Sequence, residues 1–378
     1  MTLATSICAG GVSAPDLTEQ ALDLSVEQRL GETTRYTLRL EIDIAAGDFP
    51  ALLDPRLRPG RDLTFVVQDG PRPVCLCSGP IDRIRVAFRR GGTGTLLEIM
   101  GGDRRIEMAR AHRVEAWTGR DSDIVTAIVM RYGLLPDVAS TEKIYSSGSI
   151  TQNQSATDIA WIERLARRCG TSFWIDYEVA SSATGFTVVE IARFRPVPPR
   201  PAIGGGAGPG ALAVQGLALT LNQADASDTI TAFSVDVDGE RPTSLAGVRV
   251  AEELTEEENT GELRPPHAPL GKVDLRAYIS SDERSAFLST AGDAAELKVR
   301  GEATLAEAEW FVQATTNTTA YALGERVLVV PQVVPVEGVG SVFSGDYLVS
   351  AVSHSIDHIQ HTMALELKRN ALGEGALL

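Results

Sequence analysis

Apolar and polar residues alternate through most of the first hundred positions. Leu22, Leu24 and Val26 share one face, and Tyr36, Leu38, Leu40, Ile42 and Ile44 share another. The pattern continues in L-T-F-V-V-Q-D (63–69), V-C-L-C-S-G-P-I-D-R-I-R-V-A-F (74–88) and T-L-L-E-I-M-G-G (95–102). A period of two sets alternate side chains on one side of a pleated strand, so residues 1–105 are predicted as about five or six strands. Gly31, Asp69-Gly70-Pro71 and Gly91-Gly92 supply the turns between them. That spacing suits a closed barrel or sandwich.

The period changes after residue 105. Asp121 opens a helix in which Ile124, Ala127 and Ile128 share a face, and Gly133 ends it. The segment Q-N-Q-S-A-T-D-I-A-W-I-E-R-L-A-R-R-C-G-T-S-F-W-I-D (152–176) reads as one helix followed at once by a strand. Ser155 is the expected cap, with Asp158 three residues on in the acidic place of a capping box. Ile162, Leu165, Ala166 and Cys169 fall on one helical face and form the expected helix core. Gly170 is a left-handed stop. Phe173, Ile175 and Tyr177 then alternate as a half-buried strand requires, and F-T-V-V-E-I-A-R-F (186–194) adds another strand.

R-P-V-P-P-R-P-A-I-G-G-G-A-G-P-G-A (195–211) has no periodicity and reads as a tether or surface loop. Strand patterns return in L-A-L-T-L (217–221), T-I-T-A-F-S-V-D-V-D (229–238), L-G-E-R-V-L-V-V (323–330), D-Y-L-V-S-A-V-S-H-S (346–355) and H-T-M-A-L-E-L-K-R-N (361–370). An acidic loop lies at 252–267. Residues 303–316 read as a helix with Ala303, Ala306, Trp310 and Ala314 on one side. Tyr347, Val349, Val352 and His354 belong to a strand expected to pair with 361–370 as a closing hairpin. The predicted organisation is a β unit over 1–105, a mixed helix and strand region over 106–200, a Pro/Gly linker over 201–211, and a second β unit over 212–378. That layout fits two related barrels.

Composition narrows the function classes. A chain of 378 residues has room for two or three domains, and 35 Gly with 19 Pro suits a β-rich protein with many turns. The net charge of −15 argues against a nucleic-acid surface, since phosphate binding needs a basic stripe. The first residues, M-T-L-A-T-S-I-C-A-G-G, carry no Lys or Arg and no apolar run, so no signal peptide is expected. No stretch is apolar for long enough to span a bilayer. The chain is therefore expected to begin in the cytoplasm.

Candidate chemistry is sparse. Cys75 and Cys77 alternate within a strand pattern, and C-x-C is a poor zinc spacing. Cys8 and Cys169 have no evident partner. His354, His358 and His361 form H-x₃-H-x₂-H, but on a strand–turn–strand segment, where the rings are expected to spread apart. His112 and His267 are isolated. There is no G-x-S-x-G elbow, no H-E-x-x-H base and no calcium-loop pattern. Gly204–Gly210 lacks the Lys-Ser/Thr ending of a phosphate loop. Trp117, Trp161, Trp174 and Trp310 are scattered and expected in cores or interfaces. No catalytic, cofactor-binding or metal-ligating residue is expected.

Three segments together resemble the phage late control protein D family and the hub part of VgrG spike proteins. They are A-H-R-V-E-A-W-T-G-R-D-S-D-I-V-T-A-I-V-M-R-Y-G-L (111–134), residues 152–175, and G-D-Y-L-V-S-A-V-S-H-S…H-T-M-A-L-E-L-K-R-N (345–370). The resemblance implies a mainly β chain of two tail-tube-like barrels joined by a mixed region, assembled as a ring-shaped homotrimer. It implies a baseplate hub of a contractile injection system, adapting a sixfold inner tube to a threefold spike. The implied partners are the inner tube protein, a separate spike protein and other baseplate proteins, with no direct nucleic acid contact. Assembly in the cytoplasm and then incorporation into a phage tail or injection particle are implied. Other readings are the hub of a split type VI secretion spike, or a tail-associated peptidoglycan hydrolase or carbohydrate-binding protein.

Overall fold

The computed structural model describes residues 5–45, 47–145, 152–182, 185–197, 217–223, 228–249, 263, 269–279, 284–290 and 294–373. The linker 201–211, His267 and, apart from Leu263, the acidic loop 252–267 lie outside the described residues.

The amino-terminal part contributes β1 (Thr5–Ala9), β2 (Ala21–Arg29), β3 (Arg35–Ile42), β4 (Asp62–Asp69), β5 (Arg72–Ala87) and β6 (Thr95–Gly102). Their alternation has a plain outcome: Tyr36, Leu38, Leu40 and Ile42 are buried, while Ile44 lies past the strand end and is exposed. The middle part holds β7 (His112–Trp117), α1 (Asp121–Met130), β8 (Gln152–Thr157), α2 (Asp158–Cys169), β9 (Ser172–Ser182) and β10 (Gly185–Arg195). The carboxy-terminal part holds β11 (Leu219–Thr220), β12 (Phe233–Val237), α3 (Ala294–Ala308), β13 (Val312–Thr319), β14 (Gln332–Glu337), β15 (Gly345–Asp357) and β16 (His361–Arg369).

The same strand order occurs twice. The first part runs β1–β4–β5–β6–β3–β2, and the last part runs β11–β14–β15–β16–β13–β12. Both middle hairpins carry a bulge at matching places, between Ile81 and Arg83 in β5 and between Val349 and Ala351 in β15. One difference is that β1 lies antiparallel to β4 whereas β11 lies parallel to β14. The two parts are not separate bodies. β15 gives the first stretch of one edge to β14 and the rest of it to β2, with Ala351 opposite Arg29 and Asp357 opposite Asp23. With the short strand Val12–Ser13 beside β1, a single 13-stranded sheet results. One hydrophobic core follows it, from Ile7 through Phe65 to Tyr347 and Leu372.

Four local expectations need correction. Residues 152–157 are a strand, paired with 112–117 so that Ser155 faces Val114. The ladder keeps the chain extended, and the helix cap moves to Thr157, whose Oγ1 accepts from Ala160 N at 3.4 Å. In α1, Ile124 and Ile128 are buried with Val125 and Val129, whereas Ala127 is exposed. The helix expected at 303–316 ends at Ala308, and Ala314 lies in β13. The strand expected at 323–330 is absent. There Val327 N donates to Asp69, Leu328 N to Met363 Sδ, Val329 N to Gln332 and Val330 N to Gln28. Donors spent on four different side chains cannot form a ladder, and the next strand begins only at Gln332.

Candidate assembly surface

The middle part packs as its own small core on the sheet. Ile162, Leu165 and Ala166 are buried with Ile124, Ile128, Phe173 and Phe194. Cys169 is half-buried, its thiol 3.1 Å from Asp121 Oδ2; burial first, and then that carboxylate, push its pKa far up. Gly170 has φ +62°, and a Cβ there would stand 3.1 Å from the Ala303 Cα of α3. Asp158, fully buried, accepts from Tyr132 Oη at 2.8 Å and Gln154 Nε2 at 2.7 Å, and lies 3.0 Å from Arg113 Nε. Arg104 ties this part to the sheet, bonding Asp62 at 2.7 Å and Glu190 at 2.8 Å. Burial pushes the Glu190 carboxyl up, against the pull of Arg104. These are closed structural networks in which each charge faces an opposite one.

The carboxy-terminal hairpin pairs as β15 and β16, with His354 opposite Met363. Tyr347, Val349, Val352 and His354 are all buried. The expectation that the histidine rings diverge is wrong. His354 and His361 are diagonal neighbours on one face, with Nδ1 and Nε2 3.0 Å apart. Burial drives both below the ordinary imidazole range, His361 to about 4. His358 sits in the turn. Among the described residues no group of three His, Cys, Asp or Glu side chains is placed to hold a metal. Cys8, Cys75 and Cys77 are buried thiols, and burial raises the pKa of each. A cleft of about 560 Å³ beside α2 is lined by Arg29, Arg167 and Lys368 together with Glu32, Glu163 and Glu307, so no single sign of charge dominates it.

What stands out is the edge and end of the sheet. Among the described residues nothing pairs with the outer edge of β12, nor with the edge of Arg83–Ala87 that β15 in its own half offers to β2. The β3–β4, β5–β6 and β13–β14 connections and the β15–β16 turn all leave the same end of the strand ladder. That end exposes Ile44, Leu53, Phe88, Tyr321 and Ile359. Phe88 meets Phe49 edge-on with centroids 5.3 Å apart. Single exposed apolar residues are ordinary, but several at one end of a sheet mark a contact surface. Sequence patterning could not find this surface, because it depends on which strand lies beside which.

No protein-family model matches the chain, and no curated protein matches it. Solved structures do. The 43 kDa tail protein of prophage MuSo2 from Shewanella oneidensis matches with a TM-score of 0.64 at 14% identity, over 98% of this chain and 99% of that one. A tail protein from Neisseria meningitidis MC58 matches at 0.63 and 13% identity, over 99% of this chain and 98% of that one. The E. coli c3393 protein, a component of the type VI secretion system, matches at 0.54 and 14% identity, over 95% of this chain and 76% of that one. The chain thus has a fold shared with phage tail proteins and with a component of the type VI secretion system.

Proposed function

We propose that this chain is the structural hub of a contractile injection baseplate, a ring-shaped homotrimer between a sixfold inner tube and a threefold spike. The doubled strand order carries the reading. One chain offers the same unit twice, so three chains present six units while keeping threefold symmetry. That is the simplest way to match a hexameric ring to a trimeric partner without a further protein. The fold shared with tail proteins supports the same setting.

In this reading the chain is a scaffold with no reaction of its own. It would assemble in the cytoplasm and end in the tail or injection particle. The apolar end carrying Tyr321 and Ile359 would meet one of the two axial partners. The type VI secretion reading shares this architecture and differs only in the machine. Native mass decides the central point: the ring requires about 121 kDa, three times the 40.3 kDa chain. A strictly monomeric chain that joins no tube or spike in purified particles would defeat it. Clearing of a cell-wall gel by the purified chain would favour a hydrolase instead.

A further inference from the structure

The chain contains one complete joint between its two units and the two unfilled halves of a second. In the complete joint β2 pairs antiparallel with the latter part of β15. The partner of β2 in the duplicated order is β12, and the partner of β15 is β5.

The matching bulges and buried faces set the correspondence residue by residue. Gly101, opposite Ile81 just before the first bulge, corresponds to Leu367, opposite Val349 just before the second. Ile99 then matches Leu365, and Leu97 matches Met363. Through their neighbours, Leu24, Val26 and Gln28 match Phe233, Val235 and Val237, while Val352, His354 and Ile356 match Ile84, Val86 and Phe88. Every inward residue falls on an inward residue.

We propose that the free edge of β12 pairs antiparallel with Arg83–Phe88 of a second copy, in the register of the internal joint. The internal pairs Val352–Gln28, His354–Val26 and Ile356–Leu24 become Ile84–Val237, Val86–Val235 and Phe88–Phe233 between copies. On the outward face, Ser353–Glu27 becomes Arg85–Asp236, and Ala351–Arg29 becomes Arg83–Asp238. The inference rests on the ring reading and gives it an interface.

Two independent observations support this register. The first is charge complementarity: the register sets two arginines against two aspartates on the outward face, although charge did not enter the alignment. Opposed charges and apolar pairs across strands are stabilising, whereas a slip by one residue would set arginine against valine. The second is burial. Val352, His354, Ile356, Leu24 and Val26 are at most 1% exposed, because the internal joint covers them. Their counterparts Ile84, Val86, Phe233, Val235 and Val237 are only half-buried, and Phe88 is 65% exposed. The contact is head-to-tail, and repeating its rotation closes a ring or builds a helix.

Paired cysteines test it. Ser234→Cys with Ala87→Cys places two thiols directly opposite each other across the proposed joint. Mild oxidation should give covalent oligomers on a non-reducing gel, up to the trimer. Ser234→Cys with Arg83→Cys, four residues out of register, and each single variant should give none, because disulfides do not bridge strands so displaced. Arg85→Asp should weaken assembly about tenfold, and adding Asp236→Arg should restore it. An oligomer that the 234/87 pair fails to cross-link overturns this joint and leaves the ring reading standing. A chain monomeric at every concentration and absent from particles overturns both.

Discussion

His354 Nδ1 lies 3.0 Å from His361 Nε2 on the buried face of the carboxy-terminal hairpin. One ring donates and the other accepts, so the contact is lost once both rings are protonated, and burial disfavours charging either one. Burial lowers both pKa values, and the His361 ring adds to the effect on His354. A histidine depressed on folding holds fewer protons folded than unfolded, so its effect is absent above about pH 6.5 and grows as the pH falls. For His361, with a folded value of about 4, the window is pH 6.5 down to 4. Its full effect is worth roughly 3 kcal/mol. Urea melts should show stability falling steadily across that window, and His361→Gln should flatten the slope. An unchanged slope in the variant would show that other groups govern acid unfolding.

The hairpin was legible in the sequence and the ring contact was not. Alternation identified β15 and β16, but whether two rings meet depends on register, which places His361 diagonal to His354. The same holds elsewhere. Gly170 and the apolar face of α2 announce a helix end, because a left-handed glycine after an amphipathic run has few other uses. The boundary between α3 and β13 has no glycine or proline, so one periodic pattern runs into the next across Glu309–Phe311. Residues 323–330 look like a strand by composition, but the amides of 327–330 serve four different side chains, two from the amino-terminal part and two from the carboxy-terminal part. β14 was hidden by Pro335, tolerated there because β14 pairs with β11 only at Val336 and Glu337.

Asp158 should be among the costliest polar side chains to remove. It is fully buried beneath Arg113 and bonded by Tyr132 and Gln154. Asp158→Ala leaves the Tyr132 phenol without its acceptor, leaves the Gln154 amide only the Ala156 carbonyl, and removes the carboxylate beside Arg113 and Arg131. The arginine partners are 38% and 31% exposed, so solvent screens the lost pairing and the cost is about 1–3 kcal/mol, mostly from the buried donors left unsatisfied. Chemical denaturation of the variant would measure it. A loss under about 0.5 kcal/mol, the range of ordinary surface changes, would mean that water replaces the carboxylate there.

Leu165 lies at the centre of the small core, fully buried. Leu165→Ala should cost about 2–5 kcal/mol through lost burial and a residual cavity. Leu165→Asp should cost more, because it adds a carboxylate to a fully buried apolar position. Soluble yield and melting temperature should fall in the order wild type, Leu165→Ala, Leu165→Asp. Equal stability of the three would show that α2 presents a different face to the sheet.

Gly170 and Gly133 make a controlled pair. Each has a left-handed backbone, with φ of +62° and +71°, and each follows a helix of the middle part. A Cβ on Gly133 would meet nothing within 4 Å, whereas one on Gly170 would lie 3.1 Å from the Ala303 Cα. Gly133→Ala therefore tests the backbone alone, and should cost about 1–2 kcal/mol. Gly170→Ala carries the same backbone strain and must also force α2 away from α3, where the obstacle is main chain. Gly170→Ala should accordingly destabilise more, and Ala303→Gly should recover little of the difference in the double variant, because the Ala303 Cα itself is the nearest atom. Equal losses for the two alanine variants would mean that α2 and α3 shift apart freely.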